Sequence, residues 1–215
     1  MLSGINLLAM ILAGLAGYLL GSISFSIVYS RLFRHEDIRR YGSGNAGMTN
    51  VLRTYGKRAA AFVLLGDLLK GMAAVVVARW IFALLGVVFM DGGYVGGALA
   101  ILGHLFPLYF GFKGGKGVLT TVGVVLMLNP LVVALLVVPV LAIIFITRYV
   151  SVGSITAAVL YPLTTVAIDL VDGNSVFFDA VFSVVIALII IYMHRANIRR
   201  LLNGTENRFG RKKEC

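Results

Sequence analysis

The chain has 215 residues, of which 60% are hydrophobic and 13% charged, with a formal net charge of +10. That much apolar side chain, at a mean hydropathy of +0.96, exceeds what one water-soluble core of this size can bury, so composition predicts an all-α integral membrane protein and excludes a soluble domain. The single cysteine, Cys215, excludes an internal disulfide and a cysteine metal site, and the basic residues lie beside apolar runs, which points to an anionic leaflet or anionic substrate and not to nucleic acid.

Seven spans are predicted, at residues 5–32, 58–85, 93–112, 116–129, 130–147, 151–171 and 175–194, forming one transmembrane domain over 1–215 without an internal repeat. The first run is too long for the apolar core of a signal peptide and has no basic segment before it, so it reads as a retained span. Behind it stand "RLFRHEDIRR" and then "RYGSGNAGMTN", a polar, pliable insert between apolar stretches. This insert offers backbone N–H groups from Gly42, Gly44 and Gly47 and neutral side chains from Ser43, Asn45, Thr49 and Asn50. Arg53 follows with a guanidinium that can grip an anion through two bonds. Such a set suits a phosphorylated or oxygen-rich ligand; an ordinary hydrophilic loop would explain the Gly and Asn content but not the concentration of polar chemistry.

In the second span Asp67 and Lys70 are three residues apart on one helix face, and Lys70 lies ~18 Å from a helix start near Arg58. A charged pair at that depth is costly and should face the bundle interior, as a buried structural pair or as support for a polar site. Arg79 beside Trp80 suits an interfacial anchor near the other end of this span. The third span carries His104 three residues before Pro107 and gives way to "GFKGGKG". Its glycines permit tight turns with N–H groups turned to a ligand, Lys113 and Lys116 add charge, and the following helix start adds its positive dipole end. The result is a phosphate cradle without the GxxxxGK[ST] spacing of a nucleotide-binding loop, because Gly117 follows Lys116. A basic turn flanking a membrane span is the plainer alternative.

The fourth span, at fourteen residues, reaches only ~21 Å and reads as a half-helix. Asn129-Pro130 separates it from the fifth; were the two fused, six spans would result. Charge favours seven. Alternating loops then place seventeen of the nineteen Lys and Arg residues on one side, including Arg148 and the basic C-terminal segment. The positive-inside rule puts that side in the cytoplasm and the N-terminus outside. All three polar segments share it, the third being "HRANIRRLLNGTENRFG", where His194 and Asn197 lie three apart on one helical face and could position or polarise a hydroxyl or phosphate group.

Taken in order, "GSGNAGMTN…R", "GHLFP…FKGGKG" and "HRANI…GTENRF" closely resemble the bacterial acyl-phosphate:glycerol-3-phosphate acyltransferases, the PlsY family, from Leu19 to Phe209. The resemblance implies a seven-span inner-membrane bundle with a cytoplasmic active site that moves a fatty acyl group from acyl-phosphate to glycerol 3-phosphate, giving lysophosphatidate and inorganic phosphate. It implies that Ser43 and Arg53 belong to the active site and that Lys113, Gly114, Gly115, Lys116 and Gly117 bind phosphate. It implies functional roles for His194 and Asn197 and a structural one for Glu206. One departure is visible: Met48 stands where the family's first motif usually has alanine, which questions close packing there.

No cofactor, metal or protein partner is expected; the partners are the two substrates and membrane lipid. None of His35, His104 and His194 has an aspartate five residues on, as soluble-type glycerophosphate acyltransferases require, and the aspartate-rich metal motif of CDP-alcohol transferases is absent. Acyl-phosphate is already activated, so the residues need mainly to juxtapose substrates and stabilise developing charge. No Ser-His-Asp arrangement is legible, which favours direct transfer. The proton acceptor is left between His194 and a substrate phosphate oxygen. A transporter for a phosphorylated anion is the competing reading, weakened by a site at one face and by the lack of an inverted repeat.

Overall fold

The first apolar run is two helices and not the single span expected at 5–32. In the computed structural model, which describes residues 3–208, α1 spans Gly4–Gly21 and α2 spans Phe25–Arg34. Between them, the Ile23 carbonyl accepts a hydrogen bond of 2.8 Å from Lys70 Nζ. A backbone break at membrane depth survives only where protein satisfies the liberated groups, and here the buried lysine does so. Helix α2 ends at His35, whose φ of 56° is left-handed, with Arg31 and Arg34 in its last turn.

The chain divides into two compact units, Met1–Leu128 and Asn129–Cys215. In the first, α1 packs on α4 (Lys57–Leu84) and α5 (Gly92–Leu105), and α4 also packs on α6 (Val118–Leu128). The α1–α5 crossing is built from small residues. A Cβ on Gly17 would strike Gly96, and one on Gly21 would strike Ala100. Close backbone approach of this kind is how helices gain van der Waals contact where lipid supplies no hydrophobic drive. The short α3 (Met48–Tyr55) lies against α4. Met48 packs on the cluster of Ile27, Ile38, Ala46, Val51, Ala59 and Val63, so the larger side chain is accommodated.

Helix α5 opens on Asp91, which accepts from Gly93 N at 2.7 Å and pairs with Arg79 at 2.6 Å. Arg79 is thus an ion-pair partner as well as a neighbour of exposed Trp80. The predicted third span ran to 112, but α5 stops at Leu105. Pro107 has no N–H and disfavours helical geometry at Phe106. A 3-10 turn at Leu108–Phe110 and an extended glycine loop follow.

In the second unit, α8 (Val150–Asp172) packs on α7 (Pro130–Thr147) and α9 (Val176–Met193), and α10 (Arg195–Leu202) follows α9. Asn129 Oδ1 accepts from Val132 N at 3.4 Å with Pro130 at the first helical position, so α7 starts independently of α6. The fourth and fifth predicted spans are therefore separate helices. Among the described residues, six helical segments are long and apolar enough to cross a membrane, counting Gly4–Arg34 and Gly92–Phe110 as one each. Helix α6, with 11 residues, is a shorter apolar helix reaching ~16 Å.

Candidate active site

The first polar segment is shaped from within. Asn50, only 2% exposed, accepts at Oδ1 from Ser43 N (3.0 Å) and donates from Nδ2 to the carbonyls of Tyr41 (3.0 Å), Asn45 (3.1 Å) and Ile38 (3.3 Å). Gly44 N donates to Tyr41 O and Gly47 N to Asn45 O. The sequence suggested that these amides and the Asn50 carboxamide face a ligand; instead they hold the loop. Gly42 and Gly44, with φ of 59° and 71°, carry the turn. Ser43 and Arg53 are exposed, and Asn45 and Thr49 half-buried. Thr49 and Arg53, four residues apart on α3, share a face.

The glycine loop is likewise tied down. Gly114 N donates to Leu105 O (3.1 Å) and Gly115 N to His104 O (3.2 Å), so these amides close the loop onto the end of α5. What the loop presents is the start of α6 together with Lys113, which is exposed, and Lys116, half-buried one residue before Gly117. Gly117 has a φ of 81°, left-handed geometry that admits the chain to α6 and that a side chain would strain. The N–H groups this segment has to offer an anion are therefore those of the helix start, not those of Gly114 and Gly115.

Arg39 joins the two segments. Its Nη1 donates to the carbonyls of Phe110 (2.7 Å) and Lys113 (3.0 Å), while Asp37 holds it through Nε–Oδ1 (3.0 Å) and Nη2–Oδ2 (2.7 Å). Arg39's hydrogen bonding to Asp37 outweighs the effect of burial and keeps that carboxyl down at about 2. A cleft of about 560 Å³ lies here, lined by Arg39, Arg40, Gly44, Phe110, Gly111 and Lys113. Two of the three predicted segments thus meet. Arg39 and Asp37 were read in the sequence only as flanking charge; their i,i+2 spacing beside a glycine-rich loop was the available signal.

Asp67 and Lys70, 1% and 4% exposed, form the predicted pair at 2.8 Å. Lys70 also reaches His104 Nδ1 at 2.9 Å.

In the second unit His194 caps α9, and its Nδ1 lies 2.8 Å from Ile190 O. A carbonyl only accepts, so the proton sits on Nδ1 and Nε2 is the acceptor nitrogen. Asn197 Nδ2 donates to Glu206 Oε1 (2.8 Å), Ser151 Oγ to the same oxygen (3.0 Å) and Arg200 Nε to Oε2 (2.7 Å). Glu206 therefore ties the chain after α10 to α8. Burial pushes its carboxyl up, but these bonds win and the net shift is downward. Its stabilising effect is complete above the ordinary value of 4.5 and is lost as pH falls through the lower folded-state value. Glu206→Ala leaves three donors without their acceptor and is expected to cost ~1–3 kcal/mol, read as a fall in detergent-solution Tm that shrinks at acid pH. The expectations for Phe209 and Cys215, and for the last basic residues Arg211, Lys212 and Lys213, lie outside the described residues.

Comparison with known proteins covers nearly the whole chain. The model of the family described as "Glycerol-3-phosphate acyltransferase" matches residues 11–204. The glycerol-3-phosphate acyltransferase of Clostridioides difficile (strain 630) is 40% identical over 204 residues, covering 95% of this chain and 97% of that protein. That of Syntrophomonas wolfei is 45% identical over 189 residues, covering 88% and 91%. The crystal structure of PlsY (YgiH), an integral membrane glycerol 3-phosphate acyltransferase, superposes in its glycerol 3-phosphate form with a TM-score of 0.81 at 39% identity, over 94% of this chain and 96% of that one. Its lysophosphatidic acid form gives 0.79 at 38% identity, over 94% and 95%.

Proposed function

This chain belongs to the glycerol-3-phosphate acyltransferase family of integral membrane proteins, and from that premise we propose that it transfers a fatty acyl group from acyl-phosphate to glycerol 3-phosphate at the cytoplasmic face of the bacterial inner membrane. The observation that carries this reading is the cleft of the first unit. Arg39 draws the Ser43–Arg53 segment and the Lys113–Lys116 loop together there. Both proposed substrates carry phosphate, and the two segments supply two sets of cations and hydrogen-bonding side chains, with the α6 start directly after the lysines.

In the reaction a hydroxyl oxygen of glycerol 3-phosphate attacks the acyl carbonyl. The bond from that carbon to the phosphate oxygen breaks, phosphate leaves with the electron pair, and the hydroxyl proton passes to an acceptor. Lys113, Lys116 and Arg53 stabilise the charge that gathers on phosphate. Phosphate is a good leaving group, so positioning supplies much of the acceleration and no acyl-enzyme is required. The order of the motifs carries over to His194 and Asn197 a role in orienting the attacking hydroxyl. Purified protein in lipid, given acyl-phosphate and glycerol 3-phosphate, is expected to release phosphate and lysophosphatidate in equal amounts. No release would overturn the reaction; turnover with an acyl thioester but not with acyl-phosphate would overturn the donor.

Sidedness rests on the distribution of Lys and Arg. With Cys215 replaced, single cysteines at Ser43, Lys113 and Asn203 should react with an impermeant maleimide in inside-out vesicles and resist it in right-side-out ones. Labelling of any of the three from the outer side only would overturn the cytoplasmic assignment.

A further inference from the structure

We propose that Asp67, Lys70 and His104 form a buried positioning device that fixes the glycine loop Lys113–Gly117 against the Ser43–Arg53 segment. The proposal deepens the acyltransferase reading and rests on it.

The Lys70 ammonium has three protons, and three acceptors surround it: Asp67 Oδ1 at 2.8 Å, Ile23 O at 2.8 Å and His104 Nδ1 at 2.9 Å. The contact with Asp67 is an ion pair, and those with Ile23 and His104 are hydrogen bonds. Because Nδ1 accepts, the proton of the neutral imidazole sits on Nε2. Thr120 Oγ1, in the first turn of α6, lies 3.2 Å from the same Nδ1 and flanks the ring on that side.

The other edge of the ring meets the loops. A Cβ on Gly115 would collide with both His104 Nε2 and Ala46 O, so ring, loop and first segment converge on that α-carbon. The His104 carbonyl meanwhile accepts from Gly115 N at 3.2 Å. One residue thus holds Gly115 through its backbone and packs its ring against it, on the side where the Ala46 carbonyl, two residues before α3, also closes in. Lys70 sets the ring's tautomer and angle, and Asp67 balances Lys70. A buried ion pair is a poor source of stability, since packed apolar residues of similar size serve as well or better. Its use here is geometric: it orients a donor edge beneath a loop whose own amides are turned inward.

The test separates the two edges of the ring. In His104→Asn the amide group lies where Nδ1 was, so Lys70 keeps a partner while the edge under Gly115 is lost. In His104→Gln the amide nitrogen reaches the Nε2 position. The double variant Asp67→Asn/Lys70→Met removes both charges together and leaves no lone buried ion. The measurements are KM and kcat for glycerol 3-phosphate, Tm in detergent, and hydrogen–deuterium exchange over residues 111–118. The expected result for His104→Asn and for the double variant is a KM raised about 10-fold, inside the roughly 10²-fold that a 1 Å misplacement can cost, with faster loop exchange. His104→Gln should recover most of the KM. Loop exchange and KM at wild-type values in both His104→Asn and the double variant would overturn the proposal, as would a fall in Tm with both unchanged. If the wild-type protein itself lacks transferase activity, the functional reading fails, and the exchange data alone still decide whether the network holds the loop.

Discussion

Lys116→Ala is expected to lower kcat/KM for glycerol 3-phosphate by about 10²–10³-fold, the usual cost of removing one donor to developing charge in a shielded site. Lys116 is half-buried and immediately precedes Gly117, the turn into α6. Its ammonium therefore adds to the helix start, where N–H groups and dipole already favour an anion. Gly114 and Gly115 cannot compensate, because their amides are bonded to Leu105 and His104 carbonyls. The substitution shortens a side chain outside the helices and should move Tm by little. Lys116→Arg should restore part of the activity, since charge is kept while shape changes. Unchanged kinetics in Lys116→Ala would reduce the glycine loop to a basic turn at the membrane edge.

His194→Gln is expected to raise KM about 10-fold, with a kcat loss smaller than ~10²-fold and an acid limb of the pH–rate profile that persists. Nδ1 is fixed by the Ile190 carbonyl, so a role toward a substrate hydroxyl falls to Nε2. A glutamine can offer an acceptor at a similar reach. No carboxylate adjoins His194 in sequence, and the group bonded to its Nδ1 is a neutral carbonyl. A histidine that took the proton outright would behave differently. Its loss would cost ~10²–10⁴ in kcat and would abolish the acid limb near the ordinary imidazole value of about 6.5. That outcome would make His194 the general base and would remove the substrate phosphate as proton acceptor.

Much of this protein is legible without coordinates because lipid makes simple demands. Apolar runs of sufficient length must be helices, so α4, α7, α8 and α9 fall within a residue or two of the expected spans. Asn129-Pro130 marks a helix start through chemistry that is local: a side-chain cap and a missing N–H. Asp67 and Lys70 pair because three residues of helix bring them together. The order of the three polar motifs carries the family resemblance by itself.

The tertiary structure decided what depends on residues far apart in the chain. The break after Gly21 is stable because Lys70, forty-seven residues on, satisfies the Ile23 carbonyl. Arg39 reaches the Phe110 carbonyl seventy-one residues away, and His104 and Ala46 both close in on Gly115 of the glycine loop. The inward turn of the Gly44, Gly47, Gly114 and Gly115 amides was also hidden, since sequence shows that glycine lets a backbone bend but not which way its N–H then points. Periodicity records which face of a helix meets lipid or protein. A hydrogen bond between distant loops leaves no period, because its partners are chosen by the packing of the helices that carry them.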